Sequence, residues 1–187
     1  YGEDFESFKL SGESKTDQQP FAFPPLPWIG ARFKWEVTDL DGNKVLAKTL
    51  DRALFQRSTV FLGHPDDANY TIEADVMTDG NRRIKSDVGL VNQRYLITLR
   101  GNNQRLEVSS NHDRLKVSVP FKVRQKIWYR LKTRVDLNPD GSGVVRARLW
   151  PRTDGEPDAW TIEVEHHDAH RQGSPGLFGF SPQSQKR

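Results

Sequence analysis

The sequence predicts an all-β fold in which two antiparallel sheets pack as a sandwich, and three observations support this prediction. Apolar and polar residues alternate with a period of two over most of the chain, as in strands with one buried face. Asp-Gly pairs separate these runs, and both residues tolerate the positive φ angles of tight hairpin turns. No run of ten or more residues carries the 3.6-residue periodicity of an amphipathic helix.

The alternating runs are short and regularly spaced along the chain. The clearest are YTIEADVM (70–77), RLKVSVPF (114–121), IWYRLKTRVDL (127–137) and WTIEVE (160–165). Asp-Gly turns occur at 41–42, 79–80, 140–141 and 154–155. This spacing predicts about a dozen strands, which is too many for a small barrel and suits two packed sheets.

One region, from Gly12 to Gly30, departs from the alternation. Its sequence, GESKTDQQPFAFPPLPWIG, holds four prolines and shows no period, and proline cannot donate a hydrogen bond to a strand ladder. We therefore expect a single domain over residues 1–187, with 12–30 as an extended arm laid over the sandwich. The side chains expected to hold this arm, in place of backbone ladders, are Phe21, Phe23, Leu26 and Trp28.

Composition excludes several classes of protein. A length of 187 residues fits one large domain. The net charge of +3 is small and basic residues are interspersed with acidic ones, which argues against nucleic acid as the main partner. There is no apolar run of about 18 residues, so no membrane span is predicted. The lack of cysteine excludes disulfides, thiolate metal ligands and cysteine nucleophiles.

A recognisable order of motifs runs from about residue 35 to residue 180. NYTIEADVM is followed by SDVGLVN, RYLITL, LEVSS, WYRLKTRVD, VVRARLW and GSPGLFGF. This succession resembles the concanavalin A-like, laminin-G-like jelly-roll sandwiches of bacterial secreted proteins, such as domains appended to β-propeller or glycan-processing proteins. The resemblance implies a jelly-roll topology and a secreted or periplasmic location. The start at Tyr1 and the polar end SPQSQKR lead us to expect a processed or excised piece of a larger exported protein.

Glu73 and Asp75 are the candidates for hydrolysis. Proteins of the resembled type include lectins, glycoside hydrolases, polysaccharide lyases and adhesion modules, so the site must decide the function. The related glucanases carry Glu-x-Asp-x-x-Glu on one strand, and Glu73 and Asp75 share a strand face about 7 Å apart. The third carboxylate is missing, because Val76, Met77 and Thr78 occupy its place. We therefore expect a charged outer face and no catalytic residue.

A basic stripe is the main candidate for ligand binding. The stripe consists of cations on the outer face of two strands and an aromatic residue at the end of the second strand: Arg130, Lys132, Arg134, Arg146, Arg148 and Trp150. One interpretation is a cross-strand ladder with Glu163 and Glu165, in which case Arg148→Ala costs about 0.5 kcal/mol or less. The other is a patch for acidic or sulfated polysaccharide, with Trp150 stacked on a sugar ring.

Tryptophan side chains supply a second signal for glycan binding, because an exposed indole offers a flat apolar platform to a pyranose ring. Trp28 lies in the arm, Trp128 on the outer face of a strand and Trp150 directly before Pro151. At least one of the three is expected to be partly exposed. The alternative is that they hold the arm in place or fill the edge of the sandwich.

The sequence offers candidate ligands for two kinds of metal site. The turns DLDGN (39–43) and HPDDAN (64–69) offer the oxygen ligands that calcium prefers; calcium stays open as a cofactor, although turn chemistry accounts for both. EHHDAH (165–170) holds three of the five histidines. Its position in a connection after a strand fixes no common face, His64 and His112 are remote in sequence, and no cysteine can complete a tetrahedral site. We expect a polar turn there and no metal.

The sequence as a whole favours a non-catalytic module of an exported bacterial protein that binds a polysaccharide through the basic stripe and Trp28. A structural or interaction domain, which docks a parent enzyme without a small ligand, is the alternative. A sandwich-fold glycoside hydrolase or lyase is the third hypothesis. The expected partners are a glycan and other domains of a parent protein.

Overall fold

The computed structural model describes residues 1–13, 19–49, 56–81 and 83–182. Within these ranges the chain forms fourteen strands and one short 3₁₀ helix, His112–Arg114. In chain order the strands are β1 Gly12–Glu13, β2 Pro20–Ala22, β3 Trp35–Leu40, β4 Asn43–Lys48, β5 Arg57–Phe61, β6 Thr71–Met77, β7 Asp87–Asn92, β8 Tyr95–Arg100, β9 Arg105–Ser109, β10 Lys116–Pro120, β11 Trp128–Leu137, β12 Gly143–Pro151, β13 Ile162–His166 and β14 Gly176–Phe180. No helix in these ranges is long and apolar enough to cross a membrane.

The strands form three antiparallel sheets. The first has six strands in the order β10-β9-β8-β7-β14-β5, and the second has four in the order β13-β12-β11-β6. The main hydrophobic core draws its residues from both of these sheets, so the predicted all-β sandwich is confirmed. The third sheet, β1-β2-β3-β4, comes from the N-terminal part of the chain. It contacts β5 through Trp35, whose Nε1 donates a hydrogen bond to Ser58 Oγ at 2.9 Å.

The alternation seen in the sequence matches burial on the two longest strands. On β11, Tyr129, Leu131 and Val135 are buried in the core, and the charged residues that alternate with this face are half-buried on the outer face. The inner residues of β12 are buried in the same way. Removing each large apolar side chain from water stabilises the sandwich by roughly 1.5–3 kcal/mol. The charged residues between them are thereby placed together on one outer face.

The N-terminal arm does form backbone ladders, and the prediction that it would not is wrong. In β2, Phe21 pairs with Thr38 and Ala22 pairs with Val37 of β3, and β1 pairs with β2. The presence of Pro20 does not prevent this pairing. It is the first residue of β2, where a strand tolerates the loss of an N–H donor.

The side chains predicted to hold the arm differ in their burial and in their contacts. Trp28 is buried, with 7% of its surface exposed, and its ring meets Phe5 edge-on at 5.7 Å, as expected of an anchoring residue. Phe21 and Phe23 contact each other, with ring centroids 5.2 Å apart. Leu26 lies in a turn and is 89% exposed, so its assignment as an anchor is wrong.

Three connections meet at one end of the sandwich. They are the turn between β7 and β8, the turn between β9 and β10 that contains the 3₁₀ helix, and the connection from β13 to β14. Gln93 Nε2 donates a hydrogen bond to the carbonyl oxygen of His170 at 2.6 Å. Ser110 Oγ lies 2.6 Å from His170 Nε2. These bonds join all three connections at the same residue.

Candidate functional site

An open pocket of about 520 Å³ lies where the three connections meet. Its volume falls within the range of small-ligand sites, roughly 300–1,000 Å³. Polar side chains dominate its lining, including Arg94, Asn111, His112, Asp168, His170 and Arg171. None of these residues was assigned to a binding site from the sequence. We call this site the end pocket.

His170 forms the fixed part of the end pocket. Its main-chain N–H donates to Tyr95 Oη at 3.2 Å, in addition to the bonds with Gln93 and Ser110 described above. Burial, followed by the positive charge of Arg94, lowers the pKa of the His170 imidazole from 6.5 to about 4. The ring is therefore neutral at neutral pH and offers hydrogen-bonding capacity without charge.

His112 and Asp168 form a hydrogen bond on the wall of the end pocket. His112 Nε2 lies 2.8 Å from Asp168 Oδ2, the distance of a charge-assisted hydrogen bond. This bond lowers the pKa of the Asp168 carboxyl below its usual value. The pocket therefore holds an ionised hydrogen-bond acceptor beside the guanidinium groups of Arg94 and Arg171.

The histidines of EHHDAH do not form an isolated polar turn. His166 is the last residue of β13 and is 3% exposed. The ring of His112 lies 5.7 Å from that of His166 and 5.6 Å from that of His170. Distance in sequence was the reason to set His112 aside, and that reason was wrong. The β9–β10 turn and the end of β13 lie at the same end of the sandwich.

One group of side chains here has the composition of a metal-ligand set. The ligand atoms of Asp113, His166 and His167 all lie within 4.8 Å of one another. Asp113 belongs to the 3₁₀ helix between β9 and β10, whereas His166 is the last residue of β13 and His167 follows it. The group therefore joins two connections that also border the end pocket.

Four of the oxygens considered for calcium accept hydrogen bonds, two from within their own turns and two from other parts of the chain. Asp39 Oδ1 accepts from the N–H of Gly42 at 3.1 Å. In the second turn, Asp67 Oδ2 accepts from the N–H of His64 at 3.1 Å, and Asn69 Oδ1 from that of Leu137 at 2.9 Å. Asp66 Oδ1 accepts from Gln172 Nε2 at 2.7 Å. Turn chemistry accounts for the roles of Asp39 and Asp67, and calcium binding at either turn stays open.

The basic stripe lies on the outer face of the second sheet, where every cation has an acidic partner. Arg130 binds Asp75 through Nε at 2.8 Å and Nη2 at 3.1 Å. Lys132 Nζ lies 2.9 Å from Glu156 Oε1 and 3.5 Å from Glu73 Oε2. The two carboxylates once considered for hydrolysis, Glu73 and Asp75, thus serve as partners in this charge ladder.

The three remaining cations of the stripe follow the same pattern. Arg134 Nε lies 2.6 Å from Asp136 Oδ1. Arg146 reaches Asp136 at 2.6 Å and Glu163 at 2.7 Å. Arg148 Nη1 lies 3.0 Å from Glu156 Oε1. Because Lys132 faces Arg148 and Arg134 faces Arg146 across β11 and β12, these carboxylates offset repulsion between like charges. Binding of an acidic glycan by this face stays a prediction.

Neither tryptophan assigned to ligand binding presents an open indole face. Trp150 is 6% exposed and Trp28 is 7% exposed, so the expectation that they stack on a sugar ring is corrected. Trp150 does alternate outward with Arg148 along β12, as the sequence predicted, but that position is covered. Trp128 is half-buried, which fits the expectation that one of the three would be partly exposed.

Arg148→Ala is expected to destabilise the domain by about 1–2 kcal/mol, more than the value expected from the sequence. Its guanidinium lies 3.9 Å above the ring of Trp160, its Nη1 donates to the carbonyl oxygen of Pro157 at 2.6 Å, and its side chain is 15% exposed. Arg134→Ala is the matched control, because Arg134 is 42% exposed and its loss should cost about 0.5 kcal/mol or less. Urea unfolding followed by circular dichroism measures both. Equal costs would contradict this account of Arg148.

The residues that sequence reasoning missed are those of the end pocket. Arg94, Asn111 and Arg171 lie in three different connections, and each looks like an ordinary polar loop residue. The signal that could have found the pocket is EHHDAH itself, which supplies Asp168 and His170 to the lining. Predicting the rest of the lining would have required knowing that the β9–β10 turn lies beside EHHDAH.

Comparison with known proteins supports the fold. The chain matches no protein-family model and no curated protein sequence at a significant level. Its structure is similar to that of a carbohydrate binding module, CBM66, from Bacillus subtilis, with a TM-score of 0.58. The two chains share 17% identity, and the similarity covers 87% of this chain and 92% of the other. At that identity the similarity establishes the β-sandwich fold of this chain and nothing further.

Proposed function

We propose that this domain is a non-catalytic carbohydrate-binding module and that the end pocket is its binding site. The observation that carries the proposal is the pocket's combination of guanidinium and amide donors with one ionised acceptor, in a volume of about 520 Å³. Sugar hydroxyls both donate and accept hydrogen bonds, so they need a surface with both kinds of partner. Sites on loops held by a rigid scaffold are the usual place for such binding.

The geometry of the end pocket suits a neutral or weakly acidic sugar. Asp168 is held in place by His112 at 2.8 Å, and its second oxygen can accept from a hydroxyl group. Arg94 and Arg171 supply several donors each. The ring of His170, which also lines the pocket, provides apolar surface for the C–H groups of a pyranose.

Binding fits the end pocket better than hydrolysis does. Glycoside hydrolases generally use two carboxyl groups that flank the scissile bond, about 5–9.5 Å apart. Among the described residues that line the pocket, Asp168 is the sole carboxylate. The carboxylates of Glu73 and Asp75 lie on the outer face of the second sheet, where they pair with Arg130 and Lys132.

The structural similarity to a module named for carbohydrate binding supports the same class of function. The proposal includes two more specific points. From the order of the sequence motifs, we propose that the sandwich is a concanavalin A-like, laminin-G-like jelly roll. We also propose that the domain acts outside the bacterial cytoplasm, because a module of this kind meets its polysaccharide there.

Docking to another domain of a parent protein is a second candidate function, and exposed apolar side chains on the arm and just after it favour it. Leu26, Ile29 and Phe33 are 89%, 70% and 62% exposed. These side chains lie outside the lining of the end pocket. The two functions are therefore separable by mutation.

Glycan retention tests the proposal. The domain is passed over immobilised alginate, a sulfated galactan and a neutral β-glucan, and at least one is expected to retain it. Arg94→Gln and Asp168→Asn should each weaken binding to that polysaccharide roughly tenfold or more, because each removes a charged hydrogen-bonding partner. Arg124→Ala is the matched control: Arg124 is an exposed arginine in the connection from β10 to β11, at the opposite end of the sandwich.

Two results would oppose the proposal. Retention by none of the polysaccharides would favour the docking function instead. Retention that is unchanged in Arg94→Gln and Asp168→Asn would move the site away from the end pocket. If that retention also falls steeply with salt, the basic stripe becomes the leading site, because exposed charges are screened over about 8 Å at physiological ionic strength.

A further inference from the structure

We propose that Asp113, His166 and His167 form a binding site for a divalent transition metal of the zinc type. This inference goes beyond the proposed carbohydrate binding and does not depend on it. Two imidazoles and one carboxylate are a ligand set that zinc commonly takes. The three ligand atoms come from two separate connections, and all of them lie within 4.8 Å of one another.

Both distances from Asp113 to the histidines suit ligands of one ion better than a hydrogen-bonded cluster, and the two histidine nitrogens lie within 4.8 Å of each other. Asp113 Oδ2 lies 3.5 Å from His166 Nε2 and 3.4 Å from His167 Nε2. Ligands at about 2.1 Å from a tetrahedral zinc ion lie roughly 3.4 Å apart, whereas charge-assisted hydrogen bonds measure about 2.7–2.9 Å. The neighbouring pair of His112 and Asp168, at 2.8 Å, shows the hydrogen-bonded distance at the same end of the molecule.

The state of His166 provides an independent observation. Its side chain is 3% exposed, and its buried Nε2 has no hydrogen-bond partner within the described part of the chain. Leaving a buried polar atom without a partner destabilises the folded state. A metal ion between His166, His167 and Asp113 would satisfy this nitrogen.

The other nitrogen of the same ring is held as metal ligands usually are. His166 Nδ1 lies 2.7 Å from Tyr95 Oη. In the tautomer that donates its Nδ1 proton to Tyr95, Nε2 presents its lone pair towards Asp113 and His167. An outer partner of this kind fixes the orientation of a metal-binding histidine, and a metal ion at Nε2 would select this tautomer.

The ligand types select zinc-like metals over calcium. Calcium prefers six to eight oxygen ligands, and this group offers two nitrogens. Three protein ligands leave the fourth position of a tetrahedral ion for water or another small ligand. Such an ion would fasten the 3₁₀ helix of the β9–β10 turn to the end of β13. It would also fix the position of His112, which precedes Asp113 and lines the end pocket.

Metal titration of the full chain, prepared without a histidine tag and freed of metal by chelation, tests the inference. Calorimetry with Zn²⁺ should show one ion per chain, and Co²⁺ should give the visible absorption of a tetrahedral site. Both His167→Ala and Asp113→Asn should weaken Zn²⁺ binding at least tenfold, the scale of losses seen even for outer partners. These two residues are exposed, so their variants are expected to fold.

His64→Ala is the matched control, because His64 is also exposed and lies 3.5 Å from an aspartate, Asp66. It should bind Zn²⁺ as the unmodified protein does. The inference is overturned if no stoichiometric binding occurs, or if His167→Ala and Asp113→Asn bind Zn²⁺ as tightly as the unmodified protein. It is equally overturned if His64→Ala loses as much affinity as they do. Because none of these outcomes involves a polysaccharide, the metal site and the proposed carbohydrate binding can fail separately.

Discussion

Replacing Arg100 by methionine is expected to destabilise the domain by roughly 3–5 kcal/mol, the cost of leaving a buried charge without its partner. Arg100 ends β8 and holds two carboxylates. Its Nε and Nη2 donate to Glu107 Oε1 at 3.1 and 2.7 Å, and its Nη1 donates to Asp87 Oδ2 at 2.9 Å. Methionine retains the apolar stem but none of these donors.

The large effect follows from the burial of both carboxylates. The side chains of Glu107 and Asp87 are 1% and 8% exposed. Asp87 keeps one further bond, from the N–H of Gly101 at 2.9 Å. The other cations near Glu107, those of Arg105 and Lys116, lie 3.6 and 3.7 Å from Oε2, too far to replace a hydrogen bond of 2.7 Å.

Chemical denaturation of Arg100→Met and Arg105→Met gives a matched comparison. Both changes remove an arginine beside the same carboxylate, but the Arg105 side chain is 36% exposed, and its loss should cost less than about 1 kcal/mol. Glu107→Gln added to Arg100→Met should recover part of the loss, because it removes one of the two unpaired charges. Similar costs for the two arginine variants would contradict this account of the buried charges.

Sequence periodicity predicted the strands well but could not predict this charge cluster. The alternation in LEVSS places Glu107 on the face opposite Leu106 and Val108, which reads as a solvent-exposed carboxylate. In the structure all three residues are buried. Periodicity reports which side of a strand a residue faces, whereas the covering of that side depends on side chains from β8 and β10.

The same limit applies to the candidate site. EHHDAH attracted attention because of its composition, and the structure confirms that it lies where one strand ends and a connection begins. Its partners, His112 and Asp113, come from a turn more than 50 residues earlier in the chain. Their approach depends on the order of strands in both sheets, which local sequence patterns do not encode. Trp150 is like Glu107 in that its position faces outward on a strand and is nevertheless buried.

Gly89→Ala is expected to destabilise the domain by about 3 kcal/mol, at the upper end of the cost of overpacking. Gly89 lies in β7, between β8 and β14 in the six-stranded sheet. A Cβ atom at this position would clash with the carbonyl oxygen of Ile97 and would lie 3.0 Å from the Cα of Thr98. Both are backbone atoms of β8, so a change of rotamer cannot relieve the contact and the strands themselves must move apart.

Gly155→Ala separates this steric effect from the general effect of removing a glycine. A Cβ at Gly155 would meet nothing within 4 Å, so that change should be neutral or should stabilise the domain by about 0.4–1 kcal/mol through the entropy of the unfolded chain. Thermal unfolding of the two variants against the unmodified protein measures the difference. A melting temperature for Gly89→Ala close to that of Gly155→Ala would mean that β7 and β8 can separate at little cost. The close approach of β7 and β8 would then not explain why position 89 is a glycine.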